Sequence, residues 1–163
     1  PTELTASSAA QTPTIEYYTN LPLDGSQCIP ENPPIKVRVN RVIDGDTIEI
    51  DVDGNLVLLR YIGIEAPKLD DEGKLAFYSA EATNKNAELV GGKEVFLIRD
   101  QEPTNGYGYF LGYILTDETF VNYQLVKDGY AKAVPFKPNI SCKSVFAVAE
   151  AQARSEHLGM WSQ

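Results

Sequence analysis

Residues 38–68, RVNRVIDGDTIEIDVDGNLVLLRYIGIEAPK, decide the fold of this chain. Within them, residues 48–53 alternate apolar and acidic side chains, which is the period-two pattern of a strand with one face in solvent. The Asp-Gly-Asn sequence at 53–55 predicts a hairpin turn, because glycine tolerates the positive φ that such turns require. Residues 56–64 are more continuously apolar, as in a strand buried on both faces. The segment therefore predicts consecutive strands joined by tight turns.

Arg60 interrupts the apolar run of the third predicted strand. An unpaired charge in such a position costs several kcal/mol, so the guanidinium needs an acidic partner. The carboxylates available at the ends of the strands are those of Asp46 and Glu65. We expect Arg60 to pair with one or both of them.

The order of these motifs resembles that of the staphylococcal (micrococcal) nuclease-like domain family. The resemblance is carried by IDGDT at 43–47, an arginine within the next strand, GIEAP at 63–67, NGYG at 105–108, and the run from 112 to the terminal Gly-Met-Trp. It covers residues 36–163 and implies a mainly β, α+β fold, a five-stranded OB barrel with three helices. Residues 1–35 are Thr-, Ser- and Pro-rich, and we expect them to form a flexible tether and an arm.

The family hydrolyses phosphodiester bonds with calcium, which two acidic residues and a backbone carbonyl hold. The resemblance implies that Asp46 occupies the position of the first metal ligand and Arg60 that of the first phosphate-binding arginine. Glu65 occupies the position of the second ligand, where aspartate is usual, and Ala66 that of a threonine. These positions keep most of the charge pattern of the family.

Two further positions depart from the family. Lys68 occupies the position of the general-base glutamate, and Tyr109 that of the second arginine. A protonated lysine cannot take a proton from water. A positioned general base contributes roughly 10²–10⁴-fold and a transition-state arginine roughly 10³–10⁵-fold. We therefore expect a catalytically impaired or inactive nuclease-like domain that acts in binding or as a scaffold, with no cofactor, its Asp46 and Glu65 ligand positions being vestigial.

Two alternatives remain open from the sequence. The domain could be a weakly active calcium-dependent nuclease of DNA and RNA, with a substitute base from Asp70, Asp71 or Glu72. It could also bind a different anion through Arg60 and Lys68. Tyr107 and Tyr109 either stack on a base, or Tyr109 only fills the space of the missing arginine.

The net charge of −9, from 14 basic and 23 acidic residues, counts against a nucleic-acid binder, because phosphate contacts supply most non-specific affinity. Four acidic and no basic residues lie in the first 35 positions, so residues 36–163 are still at about −5. Nucleic acid is therefore a weak expectation as a partner. No run approaches the roughly 18 apolar residues of a membrane span.

The two cysteines, Cys28 and Cys142, fit neither a metal-binding spacing nor a CxxC motif. They are either a disulfide or two unrelated buried thiols, and we favour the disulfide, which indicates an exported protein. Residues 1–20 lack the features of a signal peptide. We expect that any such peptide has been removed, and the segment could follow a lipid-modified residue.

The remaining pattern predicts three helices. The first spans about 72–89, with Asp70 or Asp71 as its cap and Leu75 on its core face. The second spans about 120–127 with Thr119 as cap. The third starts at Ser141 as cap and runs to about 157, and Trp161 packs the terminus against the barrel.

Overall fold

The computed structural model describes residues 23–163. In chain order the elements are β1 (Ile35–Val42), β2 (Thr47–Val52), β3 (Asn55–Tyr61), β4 (Ile64–Glu65), α1 (Ser79–Val90), β5 (Glu94–Ile98), β6 (Phe110–Leu115), α2 (Val121–Lys127), β7 (Lys132–Ala133) and α3 (Lys143–Ser155). Five strands close into a barrel in the order β1-β2-β3-β6-β5, and β4 pairs with β7 beside it. The predicted mainly β fold, a five-stranded OB-type barrel with three helices, is confirmed.

The register of the barrel brings the acidic turn and the arginine together. β1, β2 and β3 form an antiparallel meander, and Thr47 at the start of β2 lies opposite Arg60 near the end of β3. The N–H of Tyr61 donates to the backbone carbonyl of Asp46 at 2.9 Å. β3 then runs parallel to β6, which continues the sheet toward β5 and β1. The end of β3 is therefore fixed directly beside the turn that precedes β2.

The core contains the inward side chains of the barrel and one face of each helix. Its fully buried members include Ile48, Ile50, Leu59, Tyr61, Ala82, Ile98, Tyr113, Ile114, Leu125 and Phe146. The prediction that β3 is buried on both faces from residue 56 is wrong, because Leu56 is 55% exposed and full burial begins at Leu59. The exposed residues are those nearest the hairpin turn.

The first helix begins later than predicted, at Ser79 instead of about residue 72. An Asp70 carboxylate oxygen accepts the N–H groups of both Glu72 and Lys74, at 3.0 and 2.9 Å, so this side chain closes a tight turn and caps no helix. Leu69 and Leu75 form a bridge on either side of that turn. Leu75, predicted as core, is 68% exposed.

The predicted caps of the other two helices are also wrong. At α2, the hydroxyl of Thr116 accepts the N–H groups of Glu118 and Thr119, and the Thr119 side chain caps nothing. At α3, the hydroxyl of Ser141 donates to a carboxylate oxygen of Asp100 at 3.0 Å. Asp100 is only 8% exposed, and a buried carboxylate is costly when it lacks hydrogen-bond donors such as this hydroxyl.

A disulfide joins Cys28 to Cys142 with the two Cα atoms 5.0 Å apart, which confirms the predicted pairing. It ties the segment before β1 to the start of α3. The amide of Asn32 donates to the backbone carbonyl of Arg99 at 2.7 Å and fixes the same segment against the barrel. Residues 1–22 of the predicted tether and arm lie outside the described residues, and the division of the chain at residue 36 stays a prediction.

At the C-terminus, the guanidinium of Arg154 lies 3.7 Å from the centre of the Trp161 ring. Trp161 therefore packs against α3. Over residues 23–163, no helix combines the length and apolar character needed to cross a membrane.

Candidate functional site

The site is built on the turn that joins β1 to β2. The N–H groups of Ile43 and Asp44 both donate to the backbone carbonyl of Thr47, at 3.0 and 3.2 Å. A side chain at Gly45 would lie 2.6 Å from the Cβ of Ala66 and 2.8 Å from that of Ala82, so only glycine lets the turn pack this closely. The close packing directs two acidic side chains of the turn toward the segment after β4.

Asp46 is fully buried at the centre of the site. Its Oδ2 accepts the N–H of Ala66 at 2.8 Å, and its Oδ1 accepts the hydroxyl of Thr47 at 2.9 Å. The Lys68 ammonium donates to Oδ1 at 2.5 Å, and a guanidinium nitrogen of Arg60 lies 3.6 Å from Oδ2. Of the two carboxylates expected near Arg60, only Asp46 lies within ion-pair distance.

Lys68 bridges two carboxylates. Besides Asp46, its ammonium donates to an oxygen of Asp44 at 2.8 Å, while 30% of the Lys68 side chain remains exposed. Asn86 of α1 stabilises this arrangement. Its side-chain N–H donates to the backbone carbonyl of Asp44 at 2.8 Å, and its side-chain oxygen accepts a hydrogen bond from the Tyr61 hydroxyl at 2.7 Å. The two carboxylates and the two cations, Lys68 and Arg60, cancel in charge.

The two carboxylates are shifted in opposite directions. Burial raises the pKa of Asp46 above its usual value, although the attraction of the Lys68 ammonium opposes the rise. Burial acts in the same sense on Asp44, but hydrogen bonds from Lys68 and from the Asp46 N–H outweigh it, so the pKa of Asp44 is lowered. The difference follows from exposure, because the Asp44 side chain is 24% exposed and that of Asp46 is not exposed.

Glu65 and Tyr109 do not join this cluster. Glu65 is exposed on β4, where it lies opposite Lys132 of β7. Tyr109 is half-buried, and its N–H donates to the Asn105 side chain at 3.0 Å. Tyr107, two residues earlier, is 90% exposed. The structure therefore brings together Asp46, Arg60 and Lys68 and leaves Glu65 and Tyr109 outside.

As they stand, the residues do not fit a calcium ion. Calcium takes six to eight oxygen ligands. Here the space between the oxygens of Asp44 and Asp46 is spanned by the Lys68 ammonium. Within the described part of the chain, no three His, Cys, Asp or Glu side chains are grouped as a metal site would require.

A cleft of about 410 Å³ lies on the other side of Arg60. Its walls come from the junction of β3 and β4, the loop before β6 and the segment after β7. Tyr107 and Phe136 present exposed rings to it, and Glu65 and Glu102 are its acidic lining residues. The cleft is thus open, partly aromatic and adjacent to the charge cluster.

Sequence reasoning missed three residues of this site. Asp44 could have been found, because it stands two residues before Asp46 in the same turn. Phe136 lies within the run from residue 112 onward that carried part of the resemblance, but that run gave it no role. Nothing in the sequence around Asn86 signals its contact with Asp44, since the two are 42 residues apart.

A family model described as "Staphylococcal nuclease homologue" matches residues 58–163. The chain is similar to the thermonuclease of Staphylococcus intermedius, with 32% identity over 126 residues, which cover 77% of this chain and 75% of that protein. It is also similar to the SPbeta prophage-derived endonuclease YokF of Bacillus subtilis, with 32% identity over 79% of this chain and 45% of that protein. Endonuclease YncB of the same species is 30% identical over 79% of this chain and 63% of its own length. The match thus spans three quarters of the thermonuclease but less than two thirds of either Bacillus protein.

Proposed function

Since the chain belongs to the staphylococcal nuclease homologue family, we propose that it is a member in which phosphodiester hydrolysis is impaired or lost. It acts instead as a binding or scaffold domain of an exported protein. In this proposal Arg60 keeps the phosphate-binding position, Asp46 and Glu65 are vestigial ligand positions, and Lys68 and Tyr109 replace the base and the second arginine.

The observation that carries the proposal is the position of the Lys68 ammonium, 2.5 Å from Asp46 and 2.8 Å from Asp44. An ammonium donates hydrogen bonds and accepts none, so it cannot deprotonate a water. It also places positive charge beside the carboxylates that would hold a cation, which disfavours binding of a second cation. The Lys68 side chain therefore supplies no general base and also disfavours binding of a metal ion.

The residue type at Tyr109 supports the same conclusion. A phenol at the position of an arginine offers no charge to a phosphate in the transition state, where such an arginine contributes roughly 10³–10⁵-fold. The losses of base and arginine do not multiply, because residues that act together are not additive. Either loss alone leaves a poor nuclease.

Export is supported by the disulfide between Cys28 and Cys142. Disulfides persist in oxidising compartments and are rare in reducing ones. The bond closes a loop of 114 residues and therefore joins distant parts of the fold.

A calcium titration and a digestion assay test the proposal together. We expect millimolar calcium to leave the melting temperature unchanged and to produce no cleavage of single-stranded DNA or RNA. The matched variant Lys68→Glu/Tyr109→Arg restores the family's residues at both positions and should gain a calcium-dependent shift in melting temperature. Strong cleavage by the unaltered chain that a chelator abolishes would overturn the proposal.

The second candidate is a weakly active calcium-dependent nuclease, which the printed names of the relatives favour, thermonuclease and endonuclease. It needs a substitute base from Asp70, Asp71 or Glu72. Asp70 is engaged in its own turn, and Glu72 pairs with Lys74 at 3.3 Å. If this candidate holds, Asp71→Asn should reduce a measurable chelator-sensitive activity. If hydrolysis is lost, as proposed above, the protein has no chelator-sensitive activity for this substitution to reduce.

A further inference from the structure

The loop before β6 contains Asn105-Gly106, the only asparagine of the chain that is followed by glycine. Both residues line the cleft beside Arg60. Gly106 and the two residues after it are exposed, and Asn105 is half-buried. Water therefore has access to this pair, which hydrolysis of the Asn105 amide requires.

The side-chain oxygen of Asn105 is held by two backbone donors. Its Oδ1 accepts the N–H of Tyr107 at 2.9 Å and the N–H of Tyr109 at 3.0 Å. The main chain closes the same loop, because the Asn105 N–H donates to the carbonyl of Tyr109 at 3.0 Å. Donors at about 2.7–3.1 Å from an oxygen stabilise the negative charge that develops on it when its carbonyl is attacked. The loop therefore polarises the amide carbon, Cγ of Asn105, toward a nucleophile.

The nucleophile that the covalent chain places next to this carbon is the backbone nitrogen of Gly106. Its attack on Cγ closes a cyclic imide within the main chain and needs no other side chain. The Gly106 N–H makes no hydrogen bond with any group of residues 23–163, so base from the solvent can remove its proton. Glycine also lacks the Cβ that would hinder the approach of this nitrogen to Cγ.

We propose that Asn105 is a site of spontaneous deamidation, which adds a carboxylate to the lining of the cleft. As the bond between the Gly106 nitrogen and Cγ forms, the side-chain amino group of Asn105 leaves and takes up a proton to become ammonia. Water then opens the imide. Opening at Cγ gives aspartate, and opening at the backbone carbonyl carbon gives isoaspartate. Water is the only co-reactant, and the modification does not depend on the binding role proposed above.

The two products differ in their effect on the loop. Aspartate keeps an acceptor oxygen in the place of Oδ1, so it can hold the same N–H groups of Tyr107 and Tyr109. Isoaspartate adds a methylene group to the main chain after residue 105 and should displace Tyr107 at the cleft. Either product adds one negative charge to a lining that includes Arg60. The cleft therefore changes in charge as the protein ages.

Peptide mapping by mass spectrometry tests the proposal on the full chain after incubation in a mildly alkaline buffer. We expect the fragment with residue 105 to gain about one mass unit, because a hydroxyl replaces an amino group, and to separate into aspartate and isoaspartate forms. Asn55 is the internal control, since it is exposed and is followed by leucine. It should convert at least about tenfold more slowly, because a side chain follows it. Absence of conversion at Asn105, or equal conversion at Asn55, overturns the proposal.

Two further measurements separate the role of the glycine from that of the folded loop. Gly106→Ala fits the loop, because nothing lies within 4 Å of the added Cβ and the φ of Gly106 is not positive. This variant should slow conversion at least about tenfold. Unfolding the unaltered chain in urea removes the two N–H donors from Oδ1 and should also slow conversion. Less slowing than this in Gly106→Ala, or conversion that is faster in urea than in the folded chain, overturns the proposal. Melting temperatures verify that the variant is folded.

Discussion

Lys68 determines the electrostatics of the turn before β2. Its ammonium is the cation nearest to the Asp46 carboxylate, which is not exposed to solvent. The same ammonium also forms an ion pair with Asp44. Removing one partner of a buried ion pair leaves an uncompensated charge, which is more costly than the absence of the pair. The stability of the turn should therefore depend on this side chain more than on any exposed lysine.

We predict that Lys68→Met lowers the free energy of unfolding by about 2–4 kcal/mol at neutral pH. This loss is somewhat smaller than that for breaking a fully buried ion pair, because the Lys68 side chain is 30% exposed. Urea unfolding followed by fluorescence measures the change. Lys74→Met is the matched control, since Lys74 pairs with Glu72 at 3.3 Å while both side chains are about three-quarters exposed, and the control should cost less than about 1 kcal/mol. Equal losses in the two variants would contradict the role given to Lys68.

The loss of stability caused by Lys68→Met should depend on pH. The lowered pKa of Asp44 stabilises the fold above the pKa of an unfolded aspartate, about 3.9, and this contribution is lost as pH falls through the folded value. The raised pKa of Asp46 acts in the opposite sense, because protonation at falling pH relieves the cost of burying its charge. Once both groups are protonated, neither needs the ammonium.

We therefore expect the stability difference between the wild type and Lys68→Met to be largest near pH 7, to begin to shrink above about pH 4 as Asp46 is protonated, and to shrink further below it as Asp44 is protonated. Urea unfolding over a pH series measures it. A difference that stays constant across the series would show that Lys68 acts through packing and not through the two carboxylates. The Lys74→Met control should show no comparable trend.

At the scale of elements, the segment before β1 is held by contacts that are distant in sequence. The disulfide joins it to α3, Asn32 reaches the end of β5 through Arg99, and Asp24 pairs with Lys127 of α2 at 2.7 Å. The last pair is exposed and contributes little. The disulfide is therefore the main covalent constraint on this segment.

We predict that Cys28→Ala/Cys142→Ala loses about 4–5 kcal/mol of unfolding free energy, the value the chain-entropy model gives for loops of this length, the separation being 114 residues. Urea unfolding with and without a reductant provides the measurement. The reductant should destabilise the wild type by a similar amount and leave the double variant unchanged. A loss below about 1 kcal/mol would mean that the non-covalent contacts alone hold the segment.

The strands of the barrel were predictable and the start of α1 was not, for a physical reason, whereas α2 and α3 begin within two residues of their predicted starts. Burial alternates over residues 48–51 of β2, and this period of two is local in sequence. The start of α1 depends on the Asp70 side chain, which could cap a helix or close a turn, and both uses need the same residue type. The positive φ of 70° at Tyr78, immediately before α1, gave no signal because tyrosine rarely adopts it.

Half of the site followed from strand register. Asp46 and Arg60 meet because β2 and β3 pair with Thr47 opposite Arg60, which follows from a two-residue hairpin turn at Asp53 and Gly54. The support of Asp44 by Asn86 depends on how α1 packs on the barrel, and a single sequence does not encode that contact in any local pattern. The resemblance located the position of Lys68, and its geometry with two carboxylates came only from the structure.

For the whole molecule, the buried phenols link the barrel core to both polar networks. Tyr61 is 2% exposed and donates to Asn86 beneath the acidic turn, and Tyr113 is fully buried and donates to Asp100 near the start of α3. Burial is the main reason that the pKa of each tyrosine is raised far above its usual value, and the nearby carboxylates add to the rise. Each phenol therefore resists ionisation while the core is intact.

We predict that the protein loses stability steeply above pH 10 and unfolds as these two tyrosines ionise. In the unfolded chain each ionises at about 10, so above that pH the unfolded state releases protons that the folded state retains, and stability falls by about 1.4 kcal/mol per pH unit for each tyrosine. The near-ultraviolet absorbance of tyrosinate, recorded together with circular dichroism, should show ionisation of the last tyrosines coinciding with unfolding. Tyr61→Phe should reduce the slope of stability against pH even though it costs a hydrogen bond, whereas Tyr107→Phe, at a side chain that is 90% exposed, should leave the slope unchanged. Complete ionisation of all nine tyrosines while the circular dichroism of the fold persists would contradict the burial of Tyr61 and Tyr113 as the source of alkaline instability.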